Sequence, residues 1–154
     1  MGALALSGCG FAPAYGPGGA ARGLQDNIHI DEPDTREEFL VTRRVEERLG
    51  AGGASAPYTL GLAVSVSETS QGSSSDGATT RFRMVGTLTY SLRRAGEKTA
   101  FETGTVQSFT GYSATSSTAA TLAAQRDARE RLMVILADQL VDRLVIASAD
   151  LPAT

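Results

Sequence analysis

The chain has 154 residues, with 17 acidic and 14 basic side chains, a net charge of −3 and 42% hydrophobic residues. That length is one domain with room for a core that needs no metal or set of disulfides. The charge excludes the basic field of a nucleic-acid binder, and no apolar run of about 18 residues exists to form a membrane-spanning helix.

Leu6-Ser7-Gly8-Cys9 holds the single cysteine of the chain. A lone thiol closes no intramolecular disulfide. Most free cysteines are small buried hydrophobes, but the neighbours here supply no element to bury Cys9 in. The tetrapeptide resembles a bacterial lipobox, in which small residues precede a cysteine that is cleaved and acylated. Residues 1–8 are then a residual, truncated signal segment, without the positive start and long apolar core of a signal peptide. Residues 9–26 are punctuated by Pro13, Gly16, Pro17, Gly18 and Gly19 and read as a lipidated tether. Each buried acyl methylene contributes about 0.8 kcal/mol, so two or more chains hold firmly where one is marginal.

Residues 27–150 read as a single α/β sandwich domain. Ile28 and Ile30 alternate in a short strand, with His29, the only histidine, turned the other way. Asp34 or Thr35 caps a helix whose first turn carries Glu37 and Glu38, which suits the positive end of its dipole. Phe39, Leu40, Val45 and Leu49 form its expected apolar stripe, and Arg43, Arg44, Glu46, Glu47 and Arg48 a solvated face. Gly50, Gly52 and Gly53 stop it. Tyr58 to Val66 alternates strictly, as a half-buried antiparallel strand does. Glu68 to Thr80 is rich in Ser, Gly and Thr and reads as a flexible loop. Arg81 to Arg93 alternates again. Phe82, Met84, Leu88, Tyr90 and Leu92 share the inner face with Gly86. Arg81, Arg83, Thr87, Thr89 and Ser91 share the outer one with Val85. A tight connection at Ala95-Gly96-Glu97 leads to a third long strand, about Thr99 to Tyr112, whose alternation slips around Phe101, Val106 and Phe109. A β-bulge accounts for such a slip. The last helix carries Leu122, Ala128, Leu132, Ile135, Leu136, Leu140 and Leu144 along one side and is expected to be deepest toward Val141 to Ile146. Asp150-Leu151-Pro152 ends the fold.

The order β-α-β-β-β-α predicts an α+β two-layer sandwich. It is a mixed four-stranded sheet with both helices packed on one face, because neither layer buries its apolar side alone. The first strand and its helix suit a crossover to a parallel neighbour. The outer sheet face is small and polar.

The sequence holds no Gly-rich phosphate loop, no G-x-S-x-G elbow and no spacing of metal ligands. His29 and Cys9 have no second histidine or cysteine to complete a metal site or a Cys/His pair. No enzyme activity and no cofactor are expected. The sequence offers two binding features. One is the basic set Arg81, Arg83, Arg93, Arg94 and Lys98, on one strand and its turn. Arginine forks suit phosphates, and strand geometry puts Arg81 and Arg83 on one side about 7 Å apart. The same residues also serve as ordinary edge protection. The other feature is the polar outer sheet face with the 68–80 segment, which suits contact with the wall of a larger protein.

Cys9-Gly10-Phe11, then Pro13 and Tyr15-Gly16, resembles the mature start of the LptE family of lipopolysaccharide-assembly lipoproteins, in its alphaproteobacterial form. Arg36-Glu37-Glu38-Phe39, Tyr58-x-Leu60, Arg81 opening a strand to Tyr90-x-Leu92, Tyr112 before the last helix, and Ala137-x-Gln139 agree in order. The resemblance implies a non-enzymatic lipoprotein, held by acylated Cys9 at the periplasmic face of the outer membrane. It implies a plug that assists assembly of the β-barrel LptD and contacts lipopolysaccharide on its way to the cell surface. The barrel interior then partners the polar sheet face, and lipid A phosphates are the ligand expected for the basic set. No ligand-binding position carries over from the family by motif. The competing reading is another outer-membrane lipoprotein, a scaffold or small-ligand binder on the same sandwich.

Overall fold

The computed structural model describes residues 20–73 and 79–148. Cys9, residues 1–19, 74–78 and the Asp150-Leu151-Pro152 stop lie outside the described residues. In chain order come β1 (Ile28–Ile30), α1 (Arg36–Leu49), β2 (Tyr58–Ser73), β3 (Thr79–Arg94), β4 (Ala100–Ser113) and α2 (Thr118–Ala147). The strands form one sheet in the order β1-β2-β3-β4. β1 runs parallel to β2 across the α1 crossover, and the other pairs are antiparallel. Both helices cover one face, giving the two-layer sandwich and the β-α-β-β-β-α order expected from the pattern.

The alternation in β3 decides which face is covered. Met84, Leu88, Tyr90 and Leu92 are buried, as are Tyr58 and Leu60 of β2 and Val106 of β4. Burying one such side chain contributes roughly 1.5–3 kcal/mol, which is why a one-residue slip of register is not tolerated. Gly86 sits in the middle of this face. A Cβ there would lie 2.8 Å from Leu136 Cδ1 and 3.0 Å from Leu132 Cδ2, so the missing side chain is the space that α2 occupies.

Three expectations about the helices and the chain before them change. In α1 the buried residues are Glu38, Val41, Thr42, Val45 and Leu49, while Phe39 is 50% exposed. The buried stripe therefore lies one position round from the one Phe39 marks. In α2 Leu122 and Ile135 are exposed and Met133, Ala137 and Val141 are fully buried. That second row of residues, four apart, lets the helix pack on α1 as well as on the sheet. Ile146 is exposed, so burial ends at Leu144. Before β1, Ala20–Gly23 forms a 3-10 turn and Leu24 is fully buried in the core. Residues 20–26, assigned above to the tether, thus pack with the domain, and the Asp26 N–H donates to Leu49 O at 2.8 Å.

The segment read as a flexible loop is largely strand. β2 continues to Ser73 and β3 begins at Thr79, with Glu68 opposite Met84 and Ser70 opposite Phe82. Irregular register appears only around Gly72. The slip in β4 has two causes. The β3–β4 ladder carries one extra residue, Phe101, between Leu92↔Glu102 and Arg93↔Ala100. This bulge lets the Phe101 ring meet Tyr58 edge-on at 5.8 Å. No shift occurs at Phe109, which simply points outward from the other face.

Thr35 caps α1, its hydroxyl accepting from the Glu38 N–H at 3.2 Å. The Glu38 carboxylate then accepts from the Asp34 N–H at 2.9 Å and from the Val64 N–H at 3.3 Å. β1 ends before Val64, so this side chain replaces a strand neighbour on the edge of β2. Part of the expected solvated face of α1 instead forms ion pairs to α2 through Arg44 and Arg48, while Arg43 and Glu47 stay exposed. Arg44 grips both oxygens of Asp138 at 3.0 and 3.2 Å, Arg48 adds a bond at 3.1 Å, and Arg129 meets Glu37 at 2.6 Å. Partial burial alone raises the Asp138 carboxyl, but the hydrogen bonds and charges of Arg44 and Arg48 outweigh it and hold the group below the ordinary aspartate range. Glu37 is held low in the same way, with burial opposed by Arg129, its own N–H and Arg36. A lowered folded pKa stabilises above the unfolded value and loses that contribution as pH falls through the folded value. These pairs therefore contribute fully above about pH 4–4.5 and fail in more acid solution. Asp138→Asn is expected to flatten this acid-dependent part of the unfolding free energy, measured by urea titration at neutral and acid pH.

Candidate functional site

The five basic residues of β3 and its turn do not gather in one place. Arg81 and Arg93 are twelve residues apart on one strand, about 40 Å. Arg93 grips Asp31 with two bonds, 2.9 and 2.8 Å, tying β3 to the end of β1. The pair passes over Gly61, where a Cβ would come within 3.2 Å of Asp31 Oδ2. Arg93 is thus occupied with structure. Arg94 and Lys98 are exposed at the β3–β4 turn, where the Ala95 N–H donates to Pro57 O at 2.9 Å. The same end of the sheet receives the chain from the N-terminal side, since the Tyr58 N–H donates to Asn27 O and Tyr58 lies opposite Arg94.

Arg81 and Arg83 lie at the other end, on the outer face of the extended hairpin. Both are exposed, and neither makes an ion pair among the described residues. The Arg83 guanidinium lies 4.1 Å above the centre of the Phe109 ring. This cation–π contact holds the fork over an apolar plate that is itself 59% exposed. Behind it, on the inner face, Phe82 and Tyr112 stack 5.0 Å apart and nearly parallel, at 10°. The Tyr112 hydroxyl donates to Glu68 at 3.0 Å, and Gln125 of α2 donates to the other Glu68 oxygen at 3.1 Å. Burial raises the Tyr112 phenol, and the Glu68 bond and charge raise it further, so the hydroxyl stays protonated and keeps donating. An open cleft of about 450 Å³ is lined here by Gln71, Arg81, Phe82, Arg83, Phe109 and Tyr112, among others.

Sequence reasoning named the two arginines but not Phe109 or the Phe82–Tyr112 stack. The signal was present in the register. Once β3 buries its even-numbered residues, antiparallel pairing places Phe109 opposite Val85 on the outer face. Chemically, the end of the sheet combines two unpaired guanidinium forks with flat apolar rings, which suits an anionic amphiphile. The arrangement has no nucleophile–base pair, and no cluster of metal-ligating residues occurs among the described residues.

Fold and site define a two-layer α+β domain with a basic, aromatic hairpin end. The LptE family model, described as lipopolysaccharide-assembly, matches residues 26–144. The chain belongs to the LptE family. Its fold is similar to the crystal structure of a lipoprotein from Caulobacter crescentus CB15, at 23% identity over 87% of this chain and 98% of that one, with a TM-score of 0.70. A minor lipoprotein from Acinetobacter baumannii is similar at 15% identity, over 77% and 88% of the two chains, with a TM-score of 0.57. The solution structure of lipoprotein B from Nitrosomonas europaea is similar at 11% identity, over 79% and 83%, with a TM-score of 0.56. A search of the curated proteins gives no match.

Proposed function

We propose that this chain is a lipoprotein held by acylated Cys9 at the periplasmic face of the outer membrane. In this reading it plugs an LptD-type β-barrel, assists its assembly, and contacts lipopolysaccharide during transport to the cell surface. Family membership supports the assembly role. The flat outer face of the sheet supports the plug. Between the arginines at its two ends, its exposed residues include the small, uncharged Ala63, Ser65, Ser67, Thr89, Thr103 and Thr105, so contact of this middle strip with a barrel wall desolvates no charge.

The observation that carries the ligand contact is the pair Arg81 and Arg83 beside Phe109. Their unpaired forks suit lipid A phosphates, and the ring suits the apolar part of the same molecule. Arg94 and Lys98 are a separate basic site at the anchored end, and Arg93, bound to Asp31, supports them structurally. In a lipopolysaccharide-binding assay, Arg81→Glu with Arg83→Glu is expected to lower affinity roughly tenfold to a hundredfold. The circular dichroism melt should stay close to that of the parent, because both side chains are exposed. Unchanged affinity in the folded double variant would remove the contact.

A further inference from the structure

Free sheet edges attract other strands, and natural sheets blunt them with charge, proline or a cover. The β1 edge follows this rule. It is three residues long, Asp31 and Pro33 follow it, and Glu38 takes the Val64 N–H where it stops. The opposite edge, β4, does not. It runs for 14 residues, and its Ala100–Ser113 sequence holds no Lys, Arg or Pro. Its single charge, Glu102, is turned inward to accept the Tyr90 hydroxyl at 3.2 Å.

Which backbone groups are free follows from the ladder. The Asp31 N–H donates to Leu60 O and the Val64 N–H to Glu38, so the even residues of β2 face the β1 side and its odd residues bond β3. Alternation across antiparallel pairs then turns the even residues of β4 toward β3 and its odd residues outward. Gly111 agrees, since its carbonyl accepts Arg131 of α2 at 3.4 Å. Thr103, Thr105, Gln107 and Phe109 therefore present N–H and C=O groups with no partner among the described residues. Successive free residues stand about 7 Å apart, a repeat that only another extended backbone matches. On the inner side of this edge lies a groove of about 380 Å³, lined by Val106, Gln139, Arg143 and Ile146 among others. Ile146 is 72% exposed. Arg143 is exposed and makes no ion pair among the described residues, because its neighbour Asp142 is held by Arg48 at 3.5 Å.

We propose that the β4 edge receives an extended segment of the barrel partner as a fifth strand, bonded to Thr103, Thr105, Gln107 and Phe109. This inference rests on the barrel reading above and names the contact that fixes the plug. Thr103 and Thr105 belong both to this edge and to the polar outer face, so the added strand continues the surface that meets the barrel wall. A closed barrel has no free edge of its own, so the donor is an extended segment folded in from its wall. Its chemistry follows from the two sides of the edge. Side chains over Thr103, Thr105 and Gln107 are small or polar. Those over the groove are apolar against Ile146 and acidic against Arg143. A second copy of this chain fits poorly, because a two-fold axis here would face Arg143 with Arg143 while both Asp142 carboxylates are engaged. The contact uses neither Arg81 nor Arg83 and stands apart from the ligand reading.

Amide hydrogen exchange, read residue by residue on the full-length lipoprotein free and co-isolated with its barrel from detergent-solubilised outer membranes, tests this. The Thr105 and Gln107 amides are expected to exchange at least about tenfold more slowly in the complex, while the Val106 and Ser108 amides, already held by β3, change little. Gln107→Pro is expected to lower the barrel recovered by about tenfold or more without unfolding the domain, because the Gln107 N–H points outward and takes no part in the β3 ladder. Arg143→Glu, at an exposed position, is expected to lower it severalfold. A barrel that co-isolates while Thr105 and Gln107 exchange as fast as in the free chain overturns the added strand alone. So does undiminished recovery with Gln107→Pro and Arg143→Glu in folded chains, or protection that comes from a second copy of this chain. Absence of any barrel protein overturns the barrel reading and this inference with it.

Discussion

Leu136→Ala is expected to lower the unfolding free energy by about 2–5 kcal/mol, the usual cost of emptying a fully buried leucine site. Leu136 is fully buried and its Cδ1 fills the place where a side chain on Gly86 would stand. The partner change, Gly86→Val, puts branched carbons where Leu132 and Leu136 already sit and is expected to cost about 1–3 kcal/mol by overpacking. Combined, the two changes exchange volume across the same contact. The double variant should therefore be more stable than the sum of the single losses predicts, with a coupling of roughly 0.5–3 kcal/mol. Urea titration of the four proteins measures it. Simple additivity would mean that α2 does not rest on Gly86.

Gly52→Ala should be a strongly damaging single-methyl addition. A Cβ at Gly52 would lie 2.3 Å from Ile28 O and 2.5 Å from Ile28 C. These are backbone atoms of β1, which cannot rotate aside as a side chain can. The Gly52 N–H also donates to Ile28 O at 3.0 Å. Relieving the clash moves β1 away from β2 and breaks that bond. A loss of about 3 kcal/mol is expected, read from the shift in the urea midpoint. Gly53→Ala is the control, because nothing lies within 4 Å of a Cβ there.

What the sequence revealed follows from where burial is one-sided. Tyr58 to Val66 and Arg81 to Arg93 cover a core on one face only, so period-two alternation survives and the sheet could be read from it. The pattern vanishes from Glu68 to Gly72, where side chains are exposed and the β3 ladder alone keeps the chain extended. Phe39 misled the reading of α1 because size drew the stripe through it, whereas the buried neighbours include the polar Glu38 and Thr42. The ion pairs between helices were hidden for another reason. Arg44 and Asp138 are 94 residues apart, and each looks like an ordinary surface charge on its own helix. At the hairpin end, Arg81 and Arg83 stood out by charge. The division of the basic set needed strand length, and the capture of Arg93 by Asp31 needed the β1–β2 pairing. Phe109 needed the register of β3 against β4.

The central claim is that this LptE-family chain works inside a barrel partner. The most direct measurement is affinity isolation of the full-length lipoprotein from detergent-solubilised outer membranes, with mass spectrometry of whatever accompanies it and of Cys9. The account predicts an acylated Cys9 and a large β-barrel protein in one-to-one proportion. An acylated chain recovered with no barrel protein would contradict it.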